Sequence, residues 1–363
     1  MKDEITTILR EKAPLKARDI ARELDTDRRT INQILHSNDS IFLKDANDKW
    51  SLRDPDELVV EFSFQGWLRP DQFEQALNAC GSPLDSACVR IRFVFPEGLN
   101  ILLEAAARLL ALCNQLTYEG KSVSLVLPDI KVSAYLNRAG FFDLLAIAVA
   151  VFPSRPKSST AQSRQGQNGS LVEIAKIDLA NIDTDIPHRL REAVGAHAIE
   201  QRQMGSILSE LFHNICEHSS SPIPGFAALQ LYKRGADPYV STVFSDNGTG
   251  IVGTLWPTLP QETRTLLESS GKHAGVALIE KIFSEGHLSR LQDAARGLGL
   301  KSTSDYAEKF NGNIVVRQET FEVTLTYRGG EKKYSHQLGL QPLLRDAYLR
   351  KVSLDGQKRH PLN

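Results

Sequence analysis

Three short segments, in a fixed order along the chain, constrain the fold more than any other feature. They are 209–218 (SELFHNICEH), 245–251 (SDNGTGI) and 296–300 (RGLGL). The first predicts a helix in which Glu210, Asn214 and His218 are four residues apart and therefore project from one face. The second follows a strand-like stretch, and the third is a Gly-x-Gly turn where a further helix would begin. An acidic acceptor, a side-chain amide and backbone N–H groups at a helix N-terminus together suit a nucleotide with its metal ion.

The length of the chain, 363 residues, exceeds what one hydrophobic core usually serves, so two or three domains are expected. Charged residues make up 24% of the sequence and hydrophobic residues 41%, as in ordinary soluble globular proteins. The formal net charge of −1 excludes a general electrostatic attraction to nucleic acid or to membranes. Any basic surface must therefore be local.

The cysteines and the apolar runs indicate a cytoplasmic protein without a membrane span. None of the four cysteines belongs to a CxxC pair, which favours reduced residues over a disulfide framework or a zinc site. The N-terminus lacks the apolar stretch of a signal peptide. The longest apolar run, 141–152, is interrupted by Asp143 and is shorter than the about 20 residues that cross a bilayer.

Residues 1–54 have the pattern of three short helices followed by a β-hairpin. The expected elements are a helix around Ile5 and Leu9, helices at 16–24 and 27–36, and strands at 41–43 and 49–52. Thr26 is the expected N-cap of the third helix. This order of elements resembles the winged-helix family, whose third helix enters the major groove of DNA.

The winged-helix resemblance implies a DNA-binding surface on the third helix and the hairpin. The residues expected to face DNA are Arg28, Arg29, Thr30, Asn32 and Gln33, with Lys44 and Lys49 on the wing placed to touch phosphate. The alternative is a winged helix that contacts protein and leaves its arginines in solvent. Acidic residues in the same segment, among them Asp19, Glu23 and Asp25, keep its charge from being one-sided.

Residues 56–150 alternate between strand-like and helical stretches, which indicates a small α/β domain. Strands are expected at 58–64, 88–95 and 122–127, and helices at 98–116 and 131–139. Gly140, directly after the last helix, is suited to its C-terminal cap. Alternation at these lengths predicts a parallel sheet with right-handed crossovers.

The stretch 134–145 (AYLNRAGFFDLL) resembles the last helix of STAS domains, the fold of bacterial anti-sigma-factor antagonists. Those antagonists carry a phosphorylatable Ser at the start of the helix after the central strand, whereas the matching stretch here, 95–100 (FPEGLN), has no Ser or Thr. We therefore expect a STAS-like scaffold that serves dimerisation or binds a protein partner. A homodimer would also suit winged helices that read a palindromic site.

Residues 151–170 are expected to form a linker or exposed loop, because 153–170 is rich in Ser, Gln, Gly, Arg and Pro. The unit that follows, 171–330, contains all three ordered segments and resembles the GHKL ATPase superfamily, which includes gyrase-type ATPases, histidine kinases and anti-sigma-factor kinases. Residues 331–363 are expected to be a C-terminal tail. The predicted fold is thus a multidomain α/β chain: a winged helix, a STAS-like α/β domain and a GHKL α/β sandwich of the Bergerat type.

The GHKL resemblance implies a role for each residue of the three segments. Asn214 would hold the Mg²⁺ that bridges the phosphates, and Glu210 would be the catalytic base toward water or a substrate hydroxyl. Asp246 would accept a hydrogen bond from the adenine amino group. The other expected nucleotide contacts are His218, Gly248, Gly250, Arg296, Gly297, Leu298 and Gly299. ATP and Mg²⁺ are therefore the expected ligands.

The chemistry at this pocket has three alternatives. The first is an ATP-hydrolysing regulator whose nucleotide state controls binding to DNA or to a partner. The second is an anti-sigma-type Ser/Thr protein kinase, and the third is a module that binds ATP without hydrolysing it. Residues 252–295 occupy the position of the family's ATP lid, and they are long for a simple anti-sigma kinase, with a helix expected at 274–283.

Overall fold

The computed structural model describes residues 1–39, 41–45, 47–52, 56–167, 169–195, 201–219, 221–232, 239–285 and 299–343. Within these ranges the chain is a mixed α/β protein with several separate β-sheets, as the coarse fold class predicts. In the same ranges, no helix combines the length and the apolar character needed to cross a membrane.

The first unit, up to residue 52, folds around a core of its own. Its elements are α1 (Lys2–Lys12), β1 (Leu15–Lys16), α2 (Ala17–Glu23), α3 (Arg28–Ser37), β2 (Phe42–Lys44) and β3 (Lys49–Leu52). The helices and the hairpin lie close to their predicted positions, and β1 adds a third, antiparallel strand beside β3. Ile20, Ile31 and Trp50 are buried in this core.

The N-cap of α3 differs from the prediction. The cap is Asp27 rather than Thr26: its carboxylate accepts hydrogen bonds from the backbone N–H and the hydroxyl of Thr30, at 2.9 and 2.5 Å. An aspartate at this position satisfies a free N–H group of the first turn and interacts favourably with the helix dipole. The bond from the Thr30 hydroxyl is the main cause that holds the pKa of Asp27 below its ordinary value.

The middle unit is built on a parallel sheet. Its elements are β4 (Glu57–Glu61), β5 (Trp67–Leu68), α4 (Pro70–Cys80), β6 (Arg90–Val94), β7 (Asn100–Ile101), α5 (Leu103–Tyr118), β8 (Ser122–Val126), α6 (Ile130–Ala139), α7 (Phe141–Leu144) and β9 (Ala150–Phe152). Strands β4, β6, β8 and β9 pair in that order, all parallel, which confirms the predicted sheet. Gly140 ends α6 with φ +84°, as predicted for a cap in the left-handed region.

Several elements of this unit differ from the prediction, among them the short elements β5, β7, α7 and β9, which were not predicted. The long apolar helix begins at Leu103 rather than at residue 98, because residues 100–101 form a short strand that pairs with Trp67–Leu68. Helix α4 was not predicted. One face of α4 is buried through Phe73 and Leu77. Its N-terminus is stabilised by Pro70 in the first turn and by the hydrogen bond from the Arg69 N–H to the Gln72 side chain.

The segment expected to be a linker or exposed loop, 151–170, is exposed at most of its described positions and is attached to the middle unit at a few points. It contains the end of β9 and a short helix, α8 (Thr160–Ser163), in which Ala161 is buried. The Arg155 guanidinium donates to the carbonyl oxygens of residues 142, 145, 146 and 149, at 2.7–3.4 Å. Specific hydrogen bonds from Arg155 therefore hold part of this exposed segment on the middle unit.

The third unit contains two antiparallel sheets and most of the helices that pack on them. Its elements are β10 (Leu171–Ile177), α9 (Ile186–Gly195), α10 (Gln201–His218), β11 (Gly225–Tyr232), β12 (Tyr239–Ser245), α11 (Gly250–Leu255), α12 (Gln261–Glu268), α13 (Ala274–Glu285), α14 (Gly299–Lys309), β13 (Asn313–Gln318), β14 (Phe321–Arg328) and β15 (Glu331–Leu338). The helix of the first motif and the lid helix at 274–283 were predicted, whereas α11 and α12 were not. Strand β15 was not predicted either, and it replaces the first part of the expected tail; residues 344–363 lie outside the described residues.

The middle and third units share one core. In β11, Phe226 and Ala228 are buried among residues of the middle unit, whereas Ala227 and Leu229 face α9 and α10. Helix α5 therefore lies between two sheets, and the β10–β11–β12 sheet is covered on both faces. The second sheet, β13–β14–β15, buries Val323 and other apolar residues against α13.

Candidate nucleotide-binding site

Helix α10 presents the first motif. Leu208, Phe212 and Ile215 are buried against the β10–β11–β12 sheet, which fixes the orientation of the helix. The four-residue spacing places Glu210, Asn214 and His218 on one face, about 6 Å apart along the axis. Glu210 and Asn214 are half-buried and the His218 side chain is 45% exposed. All three side chains thus keep some access to solvent, as a ligand-binding face requires.

The second motif turns directly against the C-terminus of α10. Asp246 follows β12, and its carboxylate accepts a hydrogen bond from the Gly248 N–H at 2.7 Å. A Cβ at Gly248 would lie 2.0 Å from the carbonyl oxygen of Ser219, so only glycine fits there. Burial raises the pKa of Asp246, and hydrogen bonds from Gly248 and the Ser219 side chain partly oppose that rise.

Two asparagines of these motifs carry buried amide atoms with no hydrogen-bond partner in the described part of the chain. Asn247 is 1% exposed, and neither its Nδ2 nor its Oδ1 is bonded. The Nδ2 of Asn214 is also buried and unbonded. Each such group costs about 1–3 kcal/mol of stability when it is left without a partner. A ligand that bonds to these amides would remove that cost.

The loop is closed at its far end by a residue of β13. Gly250 has φ +68°, and the Nε2 of Gln318 lies 2.6 Å from the position that a Cβ of Gly250 would take. The Oε1 of Gln318 accepts hydrogen bonds from the N–H groups of Ile251 and Val252, at 3.1 and 3.3 Å. The start of α11, and with it the end of the second motif, is thereby tied to the second sheet.

The third motif is described in part. Arg296, Gly297 and Leu298 lie outside the described residues, whereas Gly299 is the first residue of α14, as predicted for a Gly-x-Gly turn before a helix. Helix α14 packs against α10 and α13. The described elements of all three motifs are therefore neighbours in the third unit.

The residues predicted to contact DNA lie in the first unit, apart from the nucleotide motifs in sequence and core. On α3, Arg28, Arg29 and Gln33 are exposed, while Asn32 and Thr30 are half-buried. The Thr30 hydroxyl is already bonded to Asp27. On the hairpin, Lys49 is exposed, and Lys44 forms an ion pair with Asp48 at 2.6 Å. Lys49 and the arginines and the glutamine on α3 are thus the side chains most available for a contact.

A metal ion at the α10 motif would need oxygen atoms from its ligand. In the parts of the chain that are described, no three His, Cys, Asp or Glu side chains converge on a metal position. Mg²⁺ is usually held by one or two protein ligands together with phosphate oxygens and water. The amide of Asn214 fits that role, since rotation of the group can present its oxygen.

A separate cavity of about 380 Å³ opens between α12, α13 and β15, and no motif residue lines it. Glu280 and Tyr334 are among its lining residues. Lys272, in the lid region, donates to Glu280 at 2.5 Å and is therefore paired within the lid. This cavity does not belong to the nucleotide motifs.

Comparison with protein-family models, with curated proteins and with solved structures found no match to this chain.

Sequence reasoning did not single out three residues that the structure brings to the site: Asn247, Ser219 and Gln318. Asn247 lies inside the second motif, so its place beside Asp246 was a usable signal. Gln318 carries no local signal, because its two N–H partners lie 67 and 66 positions earlier in the chain.

Proposed function

We propose that this protein binds ATP with Mg²⁺ where the C-terminus of α10 meets the 246–250 loop. The observation that carries the proposal is Asn247, whose buried carboxamide is unbonded at both ends while the neighbouring Asp246 offers a carboxylate. An amide and a carboxylate side by side supply a donor and several acceptors to the edge of a purine base. Hydrogen bonds from such a ligand would remove the desolvation cost that this buried, unbonded amide carries.

Each motif residue has a role in this proposal. Asp246 accepts from the adenine amino group through its carboxylate, in addition to the hydrogen bonds from the Gly248 N–H and the Ser219 side chain. Asn214 contributes an oxygen to Mg²⁺, which neutralises phosphate charge when bound. Gly299 begins α14, where backbone N–H groups suit a phosphate, and His218 is exposed enough to reach a phosphate.

We assign Glu210 as the base of a hydrolytic reaction, because it is half-buried one helical turn before Asn214 on the same face. The test compares ATP turnover by the wild type, Glu210→Gln and Glu217→Gln, the last being an exposed glutamate on the same helix. We expect Glu210→Gln to bind ATP but to lose about 100-fold or more of the turnover. Turnover equal to that of the wild type would exclude Glu210 as the base.

We further propose that nucleotide state controls DNA binding by the first unit, in a cytoplasmic homodimer. The supporting observation is the exposure of Arg28, Arg29 and Gln33 along α3. ATP can change DNA affinity only by its own difference in affinity for the two states. The test is the fluorescence anisotropy of labelled duplex DNA with and without ATP, using Arg29→Ala and, as a matched control, Arg22→Ala on α2. Equal binding by both variants would exclude α3 as the contact.

Two other outcomes keep the nucleotide site but change the function. ATP that binds and stays intact would indicate a non-hydrolysing interaction module. Transfer of the γ-phosphate to a Ser or Thr of a partner, recruited through the STAS-like middle unit, would indicate a protein kinase with Glu210 as its base. Incubation with radiolabelled ATP, followed by separation of protein and nucleotide, distinguishes the three.

A further inference from the structure

Arg317, in β13, is held at the boundary between the middle and third units. Its Nε and NH2 groups donate to the two carboxylate oxygens of Glu74, both at 3.0 Å, and Glu74 is 2% exposed in α4. Arg108 of α5 donates to Glu74 at 2.5 Å and to Glu322 at 2.6 Å. Two arginines and two glutamates therefore form a charge-balanced network, as a buried carboxylate requires.

The same guanidinium also holds the turn that follows β13. It donates to the carbonyl oxygens of Glu319 and Gln341, at 2.7 and 2.5 Å. Glu319 has φ +48°, a left-handed conformation that a residue with a side chain keeps only where its surroundings enforce it. By binding the Glu319 carbonyl, Arg317 contributes to that enforcement.

Gln318 lies between Arg317 and Glu319 and reaches the loop of the second motif. Its Oε1 accepts hydrogen bonds from the N–H groups of Ile251 and Val252, and its amide packs against Gly250. A chain of hydrogen bonds thus runs from Glu74, through Arg317 and the turn, to the loop that carries Asp246. Inside the loop, the Gly248 N–H bonds to Asp246, and Gln318 adds the link between the end of the loop and the second sheet.

We propose that Arg317 is a positioning residue of the nucleotide site: with Glu74, it holds the β13–β14 turn so that Gln318 keeps the 246–252 loop in its binding geometry. This inference rests on the proposed nucleotide site, and it makes the middle unit a required part of that site. The planar fork of arginine is needed here, because one group serves a carboxylate and two carbonyls at once.

The test uses the full-length protein, one control variant and two variants of the hydrogen-bond chain from Arg317 to the loop, here called the relay variants. Arg317→Lys keeps the charge but loses the fork, and Gln318→Leu removes the acceptor without leaving a buried charge. The control is Glu173→Gln, because Glu173 of β10 forms an ion pair with Arg138 of α6 and so also joins the middle and third units. A loss of general stability would affect the control as well.

Two quantities are measured: hydrogen exchange of a peptide covering 248–255 without nucleotide, and affinity for ATP with Mg²⁺. In both relay variants we expect exchange to accelerate about tenfold and affinity to fall about tenfold, the size of one or two net hydrogen bonds. In Glu173→Gln we expect the exchange rate and the ATP affinity to stay close to those of the wild type. Gln318→Glu, which retains an acceptor oxygen, restores both relative to Gln318→Leu.

Unchanged exchange in both relay variants overturns the proposal, and so does equal acceleration in Glu173→Gln. Faster exchange with unchanged ATP affinity overturns it too, because the loop would then be held for another reason. If the wild type binds no nucleotide, the proposed function fails. The exchange measurement then decides by itself whether Arg317 holds the loop.

Discussion

Gly248 and Ser219 approach each other so closely that a methyl group on Gly248 would lie 2.0 Å from the Ser219 carbonyl oxygen. This contact joins the last turn of α10 to the loop after β12, although the two segments are separated by two strands of the sheet. Because a backbone atom is the obstacle, neither side can move away without displacing its element. The contact therefore fixes the position of the 246–250 loop relative to the C-terminus of α10.

Gly248→Ala is expected to separate the two motifs. Overpacking at such a contact costs about 1–3 kcal/mol or more, and the displaced Asp246 would no longer meet the nucleotide. The melting temperature and ATP affinity should both fall. Gly169→Ala is the control, since a Cβ there meets nothing within 4 Å. Wild-type affinity in Gly248→Ala would show that the contact does not shape the site.

Asn247→Leu is expected to stabilise the nucleotide-free protein while it removes ATP binding. Its amide is buried and unbonded, so an apolar side chain of similar size removes a cost of about 1–3 kcal/mol. Asn137→Leu is the matched control, because that asparagine donates to the Ser158 carbonyl and accepts from the Thr160 N–H. Urea denaturation should therefore show opposite signs for the two variants. A destabilised Asn247→Leu that still binds ATP would contradict the role given to Asn247.

The pKa of Asp246 predicts a specific pH dependence of stability. Burial raises this pKa in the folded protein above the ordinary value of 3.8. The protonated form therefore favours folding, and this contribution is fully present below 3.8 and is lost as the pH rises through the folded pKa. The free energy of unfolding of the wild type, minus that of Asp246→Asn, should decrease over that window and then level off. A difference that stays flat from acid to neutral pH would contradict the raised pKa.

Arg155→Lys is expected to weaken the middle unit without affecting the nucleotide site. The arginine binds four carbonyl oxygens, and an ammonium group cannot reach all of them. We expect a loss of about 1–3 kcal/mol in the free energy of unfolding, with ATP affinity unchanged. An unaltered denaturation midpoint would mean that water replaces these bonds at no cost.

The parts of the fold that the sequence predicts are those with local causes. The spacing of apolar residues in 209–218 and the glycine after Ala139 determine structure within one or two helical turns. The motif helix and the cap at Gly140 therefore lie where expected. Some errors are also local: Asp27 and Thr26 are both good caps, and only the backbone geometry selects Asp27. The two-residue strand at 100–101 is too short to have a period.

The contacts that complete the candidate site have no local cause. Arg317 and Gln318 lie at the end of a strand in a β-hairpin, and their neighbouring sequence does not distinguish them. Arg317 bonds to Glu74, which is 243 positions away in the sequence. The pairing of α10 with the 246–250 loop likewise depends on how β11 and β12 register, through Phe226 opposite Ser245. Such contacts follow from the assembled fold and could not be inferred from spacing.

A calorimetric titration of ATP with Mg²⁺ into the wild-type protein tests the nucleotide site most directly. A site at this junction predicts saturable binding to one site per chain that weakens when Mg²⁺ is removed. Asp246→Asn should bind about tenfold or more weakly, because the amide has one acceptor oxygen and the Gly248 N–H already uses it. No binding by the wild type, or equal binding by Asp246→Asn, would contradict a nucleotide site at Asp246.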